Sequence, residues 1–353
     1  MHRIRTQCAS VWILIFFVAV LLVPPTANGQ DDGKAVVKVM TYNVNEGTDF
    51  IEVLSATNFP DFQEAVAVTL RNIDSTKPPL RMQAVAREIA QTQPDLVGLQ
   101  EVTTWSVNGQ ERYNMLGDLL TALHDLGSDY NKVVEVQEFQ LQGVTPDFTV
   151  VQGVNHDVIL ARADPDMELS NVRQASFSDS ILLHIPTVLG TFTIIRGWGS
   201  VDVTLHGQSF RFVVSHLEQY LPVALPLQEA QALELAAAAT AGTSDPVIIA
   251  VDANADALGV DPSIATYQLI RSLGFGDAWA AVHPNEPGAT WGSMEDPNDP
   301  RPPVHQRIDY IFFKDGVRAL NAQLAGQRTQ EKMDGLWPSD HTGVRATLLS
   351  SWE

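Results

Sequence analysis

The chain has 353 residues, 45% of them hydrophobic, with 42 acidic against 22 basic side chains and a formal net charge of −20. Such a surface repels polyanions and argues against tight, sequence-independent binding of DNA or RNA, which needs a basic face, although bound divalent cations would offset this locally. One cysteine excludes an internal disulfide and a thiolate zinc cluster.

His2, Arg3 and Arg5 precede an unbroken apolar run from Val11 to Val23, then Pro24-Pro25 and small residues through Gly29. This is the layout of a secretory signal peptide over residues 1–29, and export, either secretion or release into a periplasm, is the expectation. The run falls short of the roughly 20 residues a spanning helix needs, so cleavage rather than stable membrane insertion is expected. Cleavage would remove the one cysteine, Cys8, together with Arg3 and Arg5, and make the chain more acidic still.

Ala35 to Asn43 is apolar and rich in β-branched residues, a first strand. Residues 48–79, punctuated by Pro60, Pro78 and Pro79, read as an excursion over one sheet edge, with a short helix from Asp61 to Ile73. Met82, Val85, Ala86, Ile89 and Ala90 keep helical spacing until Pro94 stops them. Asp95 to Glu101 is a second buried strand ending in an acid. Met115, Leu119, Leu120 and Leu123 mark another helix, stopped by Gly127. Strands begin at Val133 and cover Val158 to Ala161. Thr191 to Thr204 and Gln208 to Ser215 read as a hairpin turning at His206-Gly207. An Ala- and Leu-rich helix over 223–241 leads to a strand at Val247 to Val251, then a helix over 262–273 ended by Gly274. Arg307 to Phe313 and Gly343 to Leu349 are the last strand signals. This mixed order, with no Gly/Ser linker, predicts two stacked sheets covered by helices in one domain over 34–352.

Buried strands in this chain repeatedly end in side chains able to hold a metal or move a proton. Asp252 and Asn254 follow five apolar residues, and residues two apart in an extended segment point the same way. A carboxylate and an amide aimed at one spot suit proton transfer or metal binding. The plainer alternative is a polar strand end with an Asx turn. Asn43, Glu101, His216 and Asp309 stand at comparable positions, and Asp340-His341 opens the last strand. Asp309 lies within a strand between Ile308 and Tyr310, where an unpaired charge is costly. Asn, Glu and Asp are the hard oxygen ligands of Mg²⁺ and Mn²⁺. Singly each has an ordinary structural explanation; as an ordered set they point to one site.

The segments Tyr42-Asn43, Leu99-Gln100-Glu101, Ser215-His216-Leu217, Asp252-Ala253-Asn254, Arg307-Ile308-Asp309-Tyr310 and Ser339-Asp340-His341 occur in the order found in the endonuclease/exonuclease/phosphatase superfamily, which the chain resembles over about residues 36–350. That group includes DNase I-like nucleases, neutral sphingomyelinases and inositol polyphosphate 5-phosphatases. The resemblance implies an α/β fold, a four-layer α/β/β/α sandwich of two mostly antiparallel sheets flanked by helices, and hydrolysis of a phosphate ester with Mg²⁺ or Mn²⁺. It implies that Asn43 and Glu101 hold the metal with Asp340 nearby. Asp252 would orient or deprotonate water, Asn254 hold a phosphate oxygen, His341 with Asp309 stabilise charge or donate a proton, and His216 contact the phosphate.

The chain departs from that pattern at three places. The nuclease branch often sets a Glu near the start of the fourth strand to pair the first histidine, where this chain has Asn155, His156 and Asp157. The usual Gly before Asp-x-Asn is Val251, and the 48–79 excursion is long. Asn155 and Arg196 are further candidates for phosphate contact, a plain surface role being the alternative for Arg196. The alternative function is a binding protein that keeps the fold without catalysis; against it, none of the eight core residues is missing.

Overall fold

The computed structural model describes residues 34–178, 181–183, 192–219, 225–292 and 304–351; the leader expected at 1–29 lies outside them. Strands and helices are numbered along the chain. One sheet contains β1 (Lys34–Asn43), β2 (Leu96–Val107), β3 (Gln110–Asn114), β4 (Tyr130–Val144), β5 (Val150–Arg162), β7 (Ile181–Leu183), β8 (Phe192–Ile194), β14 (Val317–Ala325) and β15 (Gly343–Ser351). Their order is β14-β15-β1-β2-β5-β4-β8-β7, with β3 paired to β2. The other contains β6 (Met167–Ser176), β9 (Gly197–Leu205), β10 (Gln208–His216), β11 (Val247–Asp252), β12 (Gly276–Asp277) and β13 (Asp309–Lys314), in the order β12-β13-β11-β10-β9-β6.

Each sheet holds one parallel pair, β1 with β2 and β10 with β11, among antiparallel neighbours. The inner faces meet in an apolar layer that includes Val37, Val39, Phe212, Val214, Ile248, Ala250 and Ile311. At Gly98 a Cβ would lie 2.6 Å from the Ala250 Cβ, so the close approach of the sheets requires glycine there. Helices α3 (Pro78–Thr92) and α4 (Met115–Asp125) cover the first sheet through Met82, Val85, Ile89, Leu119 and Leu123. Helices α5 (Leu225–Thr240) and α6 (Ile264–Ser272) cover the second through Leu235, Ala239 and Ile270. The α/β/β/α layering follows from these two helix stripes, each buried against one sheet face.

The excursion is more helical than its prolines suggest. After a short α1 (Ile51–Ser55), α2 runs from Phe59 to Thr76, beyond the expected limits of Asp61 and Ile73. Asn58 caps it by accepting the Asp61 N–H, and Pro60 sits in the first turn, where its missing donor costs nothing. Its face of Phe62, Ala65 and Val66 packs with Trp105, Phe139, Leu141 and Val151 from the long β2, β4 and β5. The expected hairpin is real from Gly197 onward and turns at His206-Gly207, but Phe192–Ile194 pairs with β4 and β7 in the opposite sheet. Strands β3, β6 and β14, the two-residue β12 and α7 (Ala278–Val282) had no clear sequence signal. β6 is largely exposed and carries Glu168, Asn171 and Arg173, so it lacks apolar alternation.

Candidate active site

Alternation along the strands carries the candidates inward. Val37 and Val39 face the inter-sheet core, and continuing by twos leads through Thr41 to Asn43. The same parity leads from Phe212 and Val214 to His216, from Ile248 and Ala250 to Asp252, and back from Ile311 to Asp309. The parallel pairs end at one edge of the sandwich, and His216 and Asp252 are register partners there, as are Asp252 and Asp309. Asp309 is the first residue of β13 rather than an interior one; its charge lies at the sheet edge, where a partner can reach it.

Two residues arrive by breaking that alternation. Glu101, two residues beyond Leu99, would face the helix layer. Instead a bulge between Leu99 and Val102, with Glu101 at φ 62°, turns its carboxylate into the cleft. A left-handed non-glycine residue costs about 1–2 kcal/mol, and such strain gathers at functional sites. Asn254 has φ 48°, so it does not sit beside Asp252 by strand alternation. An Asx turn brings it round, its backbone N–H donating to Asp252 Oδ1 at 2.9 Å.

At the floor, Asp252 Oδ2 accepts from Asn43 Nδ2 at 2.9 Å and lies 3.4 Å from His216 Nε2 and 3.8 Å from His341 Nδ1. His341 Nδ1 is bound more tightly to Asp309 Oδ2, at 2.9 Å. Ser339 Oγ donates to the Asn43 carbonyl at 2.8 Å, tying the Ser339-Asp340-His341 loop to the end of β1. Arg81, fully buried on α3, clamps both loops: Nη1 donates to the carbonyls of Val44 (2.7 Å) and Pro338 (3.3 Å), and Nη2 to that of Asn45 (3.0 Å). Only the apolar residues of this helix stand out in the sequence, so the role of Arg81 was missed.

Glu101, Arg196, His216, Asp252, Asn254, Asp340 and His341 line one cleft of about 390 Å³. Asn43 and Asp309 stand directly behind them. Asn155 does not reach the cleft: it is buried, and its amide donates to the Glu46 carboxylate. Four acids passed over in the sequence, Glu46, Asp49, Glu218 and Asp261, line the cleft; Glu46 and Glu218 sat within two or three residues of a chosen candidate.

Electrostatics separates the two histidines. Burial alone would depress His341, but Asp309, Asp340 and Asp252 hold its pKa well above the ordinary value. Burial, then Arg196 and the charge on His341, push His216 well below it. Burial and the neighbouring Asp309 carboxylate raise Asp252 to about 7. Burial and repulsion from Asp340 raise Glu101. Such divergent environments mark acid and base assignments.

The donor set fits a hard divalent cation. Glu101 and Asp340 bring repelling carboxylates to one wall of the cleft, and Glu101 takes only amide donors, from Asn43 (2.8 Å) and the Glu46 N–H (3.0 Å). Asn43 Nδ2 donates to Glu101 and Asp252, at 2.8 and 2.9 Å, and its Oδ1 accepts the Asn45 N–H at 3.0 Å with a second lone pair left over. Asp252, Asp309 and His341 also offer ligand atoms within 4.8 Å of one another. Within that trio His341 Nδ1 is already bound to Asp309 Oδ2 at 2.9 Å, an arrangement suited to proton transfer.

The sequence profile of the Endonuclease/Exonuclease/phosphatase family matches residues 40–341. No curated protein matches the sequence. Among solved structures, the endonuclease/exonuclease/phosphatase from Beutenbergia cavernae is similar at a TM-score of 0.60 and 17% identity, covering 90% of this chain and 72% of that one. The corresponding Bacteroides vulgatus protein matches at 0.57 and 16%, covering 90% and 100%. The TDP2 of D. rerio, solved with a single strand DNA product, matches at 0.53 and 18%, covering 89% and 99%. These likenesses establish the fold, and the profile, spanning most of the chain and all eight core positions, establishes the lineage. The chain belongs to the endonuclease/exonuclease/phosphatase family.

Proposed function

We propose that this protein is an exported hydrolase of phosphoric esters that works with a bound divalent cation, Mg²⁺ or Mn²⁺. The observation that carries the reading is the placement of the Asp252 carboxylate between two imidazoles of opposite charge preference, at the floor of a cleft walled by Glu101 and Asp340. Glu101 and Asp340 would hold the cation. When bound, it neutralises charge on the phosphoryl group and lowers the pKa of water.

The side chains supply the rest. Asp252, with a pKa near 7, takes the proton of the attacking water as the new P–O bond forms. Asn43 and the Asn254 N–H fix its oxygens for that task. His341, charged and braced by Asp309, stabilises the phosphoryl oxygens and passes its proton to the departing ester oxygen as that bond breaks. His216 and Asn254 face the phosphate from the other side. Residues 1–29 direct export in this reading.

Arg196 is the sole lysine or arginine among the described residues lining the cleft, while Asp49, Glu218 and Asp261 add negative charge there. This favours a compact phosphodiester or phosphomonoester over a long polyanion, whose backbone needs several cationic contacts. The test is hydrolysis of bis-p-nitrophenyl phosphate, sphingomyelin, plasmid DNA and RNA, each with Mg²⁺ and with EDTA. Hydrolysis of the small ester that EDTA abolishes is the expected result. Activity indifferent to EDTA, or retained in full by Asp252→Ala, would overturn the mechanism, and inactivity on every substrate would favour the binding-protein alternative.

A further inference from the structure

Behind His216 lies a buried group of ionisable side chains that hydrolysis does not use. Glu138 and Asp157 are fully buried, and none of their four carboxylate oxygens has a hydrogen-bond donor among the described residues. Glu218 is almost as deeply buried. The guanidinium of Arg196 sits among them, 3.6 Å from Glu138 Oε2 and 3.7 Å from Glu218 Oε2. A buried guanidinium persists only when paired, so Glu138 and Glu218 hold it where it is, while burial pushes the Glu138 and Asp157 carboxyls well above the ordinary carboxylate range. From that position Arg196 Nη1 reaches His216 Nδ1 at 2.9 Å.

The chemistry of this contact has one solution. Arginine carries donors and no acceptor, so Nδ1 must accept. A neutral imidazole has a single ring hydrogen, which then resides on Nε2, the atom that lies 3.4 Å from Asp252 Oδ2 and faces the cleft. Asn254 Nδ2 lies 3.0 Å from Nε2, which would set donor against donor. Arginine has no acceptor to offer, so the conflict falls on Asn254, whose amide would satisfy an Nε2–H by exchanging oxygen for nitrogen and giving up its 3.1 Å bond to the Leu217 carbonyl.

We propose that Arg196 is a positioning residue that fixes His216 in the Nε2–H tautomer, with Glu138, Asp157 and Glu218 as its buried acidic neighbours. A carboxylate against Nδ1 would have the opposite effect, leaving Nε2 bare as a proton acceptor. With arginine there, His216 rests as a neutral hydrogen-bond donor to the phosphate, and Asp252 is left as the base. The tautomer follows from the Arg196 contact; its use in catalysis rests on the hydrolase reading.

The test is the long-range ¹H–¹⁵N spectrum of the full chain labelled with [¹⁵N]histidine, without substrate, the His216 signals being identified by their loss in His216→Asn. The expected wild-type pattern is a protonated Nε2 and a bare Nδ1. A protonated Nδ1, or a doubly protonated ring, would overturn the proposal without any Arg196 variant. Arg196→Met is expected to shift His216 toward the Nδ1–H form and, on bis-p-nitrophenyl phosphate, to lower kcat at least about tenfold with KM changed by less than about threefold. An unchanged tautomer with a raised KM would instead make Arg196 a phosphate ligand and refute the positioning role. Absence of turnover on any substrate would count against the hydrolase reading but leave the spectroscopic result standing.

Discussion

His216 and Asp252 are the last register partners of the parallel pair β10–β11, and their side chains meet at that end, with Nε2 3.4 Å from Oδ2. Two parallel strands end at the same sheet edge, so inward-facing terminal residues of such a pair become neighbours. Asp309 joins as the antiparallel partner of Asp252, and Asn43 approaches from the facing sheet. The reactive end of this molecule is thus an extension of its core, two polar steps beyond the apolar alternation.

The pH profile tests the assignment of base and acid. Asp252 must be ionised to accept a proton, and burial with Asp309 sets its pKa at about 7. His341 must keep its proton, which the surrounding carboxylates hold well above the ordinary histidine value. The expected profile of kcat/KM is a bell whose acid limb lies near pH 7 and whose alkaline limb lies well above it. A cation favours the ionised carboxylate, so raising Mg²⁺ moves the acid limb to lower pH. An acid limb that stays in place as Mg²⁺ increases would argue against a cation near Asp252.

Asp309→Asn removes the strongest charge acting on His341. The alkaline limb is expected to move down in pH, and kcat to fall by about 10² or more. The His341 contribution to stability has a defined sign: a folded pKa above the unfolded value stabilises fully below about pH 6.5 and is lost as pH rises through the folded value. Urea midpoints for the two proteins should therefore differ most on the acid side and converge in alkali. A stability gap that widens with pH would contradict the ion pair.

Glu101→Gln and Asp340→Asn test the cation wall. Each is expected to weaken Mg²⁺ at least about tenfold, or about 1.4 kcal/mol. For the wild type, Mg²⁺ at about 100 times its Kd adds roughly 2.7 kcal/mol of stability, visible as a rise in Tm after chelator treatment. Both substitutions should displace the Tm-against-Mg²⁺ curve to higher concentration. Curves that superimpose on the wild type would remove these carboxylates from the cation site.

Arg81→Met tests the clamp between loops. The substitution strands the carbonyls of Val44, Asn45, Thr76 and Pro338, all held by one guanidinium. Buried polar groups left without partners cost about 1–3 kcal/mol each, so a loss of at least about 3 kcal/mol is expected in urea unfolding. Activity should fall under conditions where the variant remains folded, because the loops bearing Glu46 and Asp340 lose their common tie. A variant within about 0.5 kcal/mol of wild type would show that the clamp carries little energy.

What the sequence alone determined is the layered architecture and the list of inward-facing ends. Strand parity is local: Val37 and Val39 predict the face of Asn43, and Ile248 and Ala250 that of Asp252, before any partner is known. Tertiary structure decided the rest, because it depends on partners far apart in the chain or on broken alternation. The bulge turning Glu101, the left-handed turn at Asn254, and the Glu46 acid that draws Asn155 away from the cleft are all of this kind. So is the guanidinium of Arg196 on His216, since hydrogen-bond direction is set by which donor meets which acceptor in space, and no spacing of letters encodes that meeting.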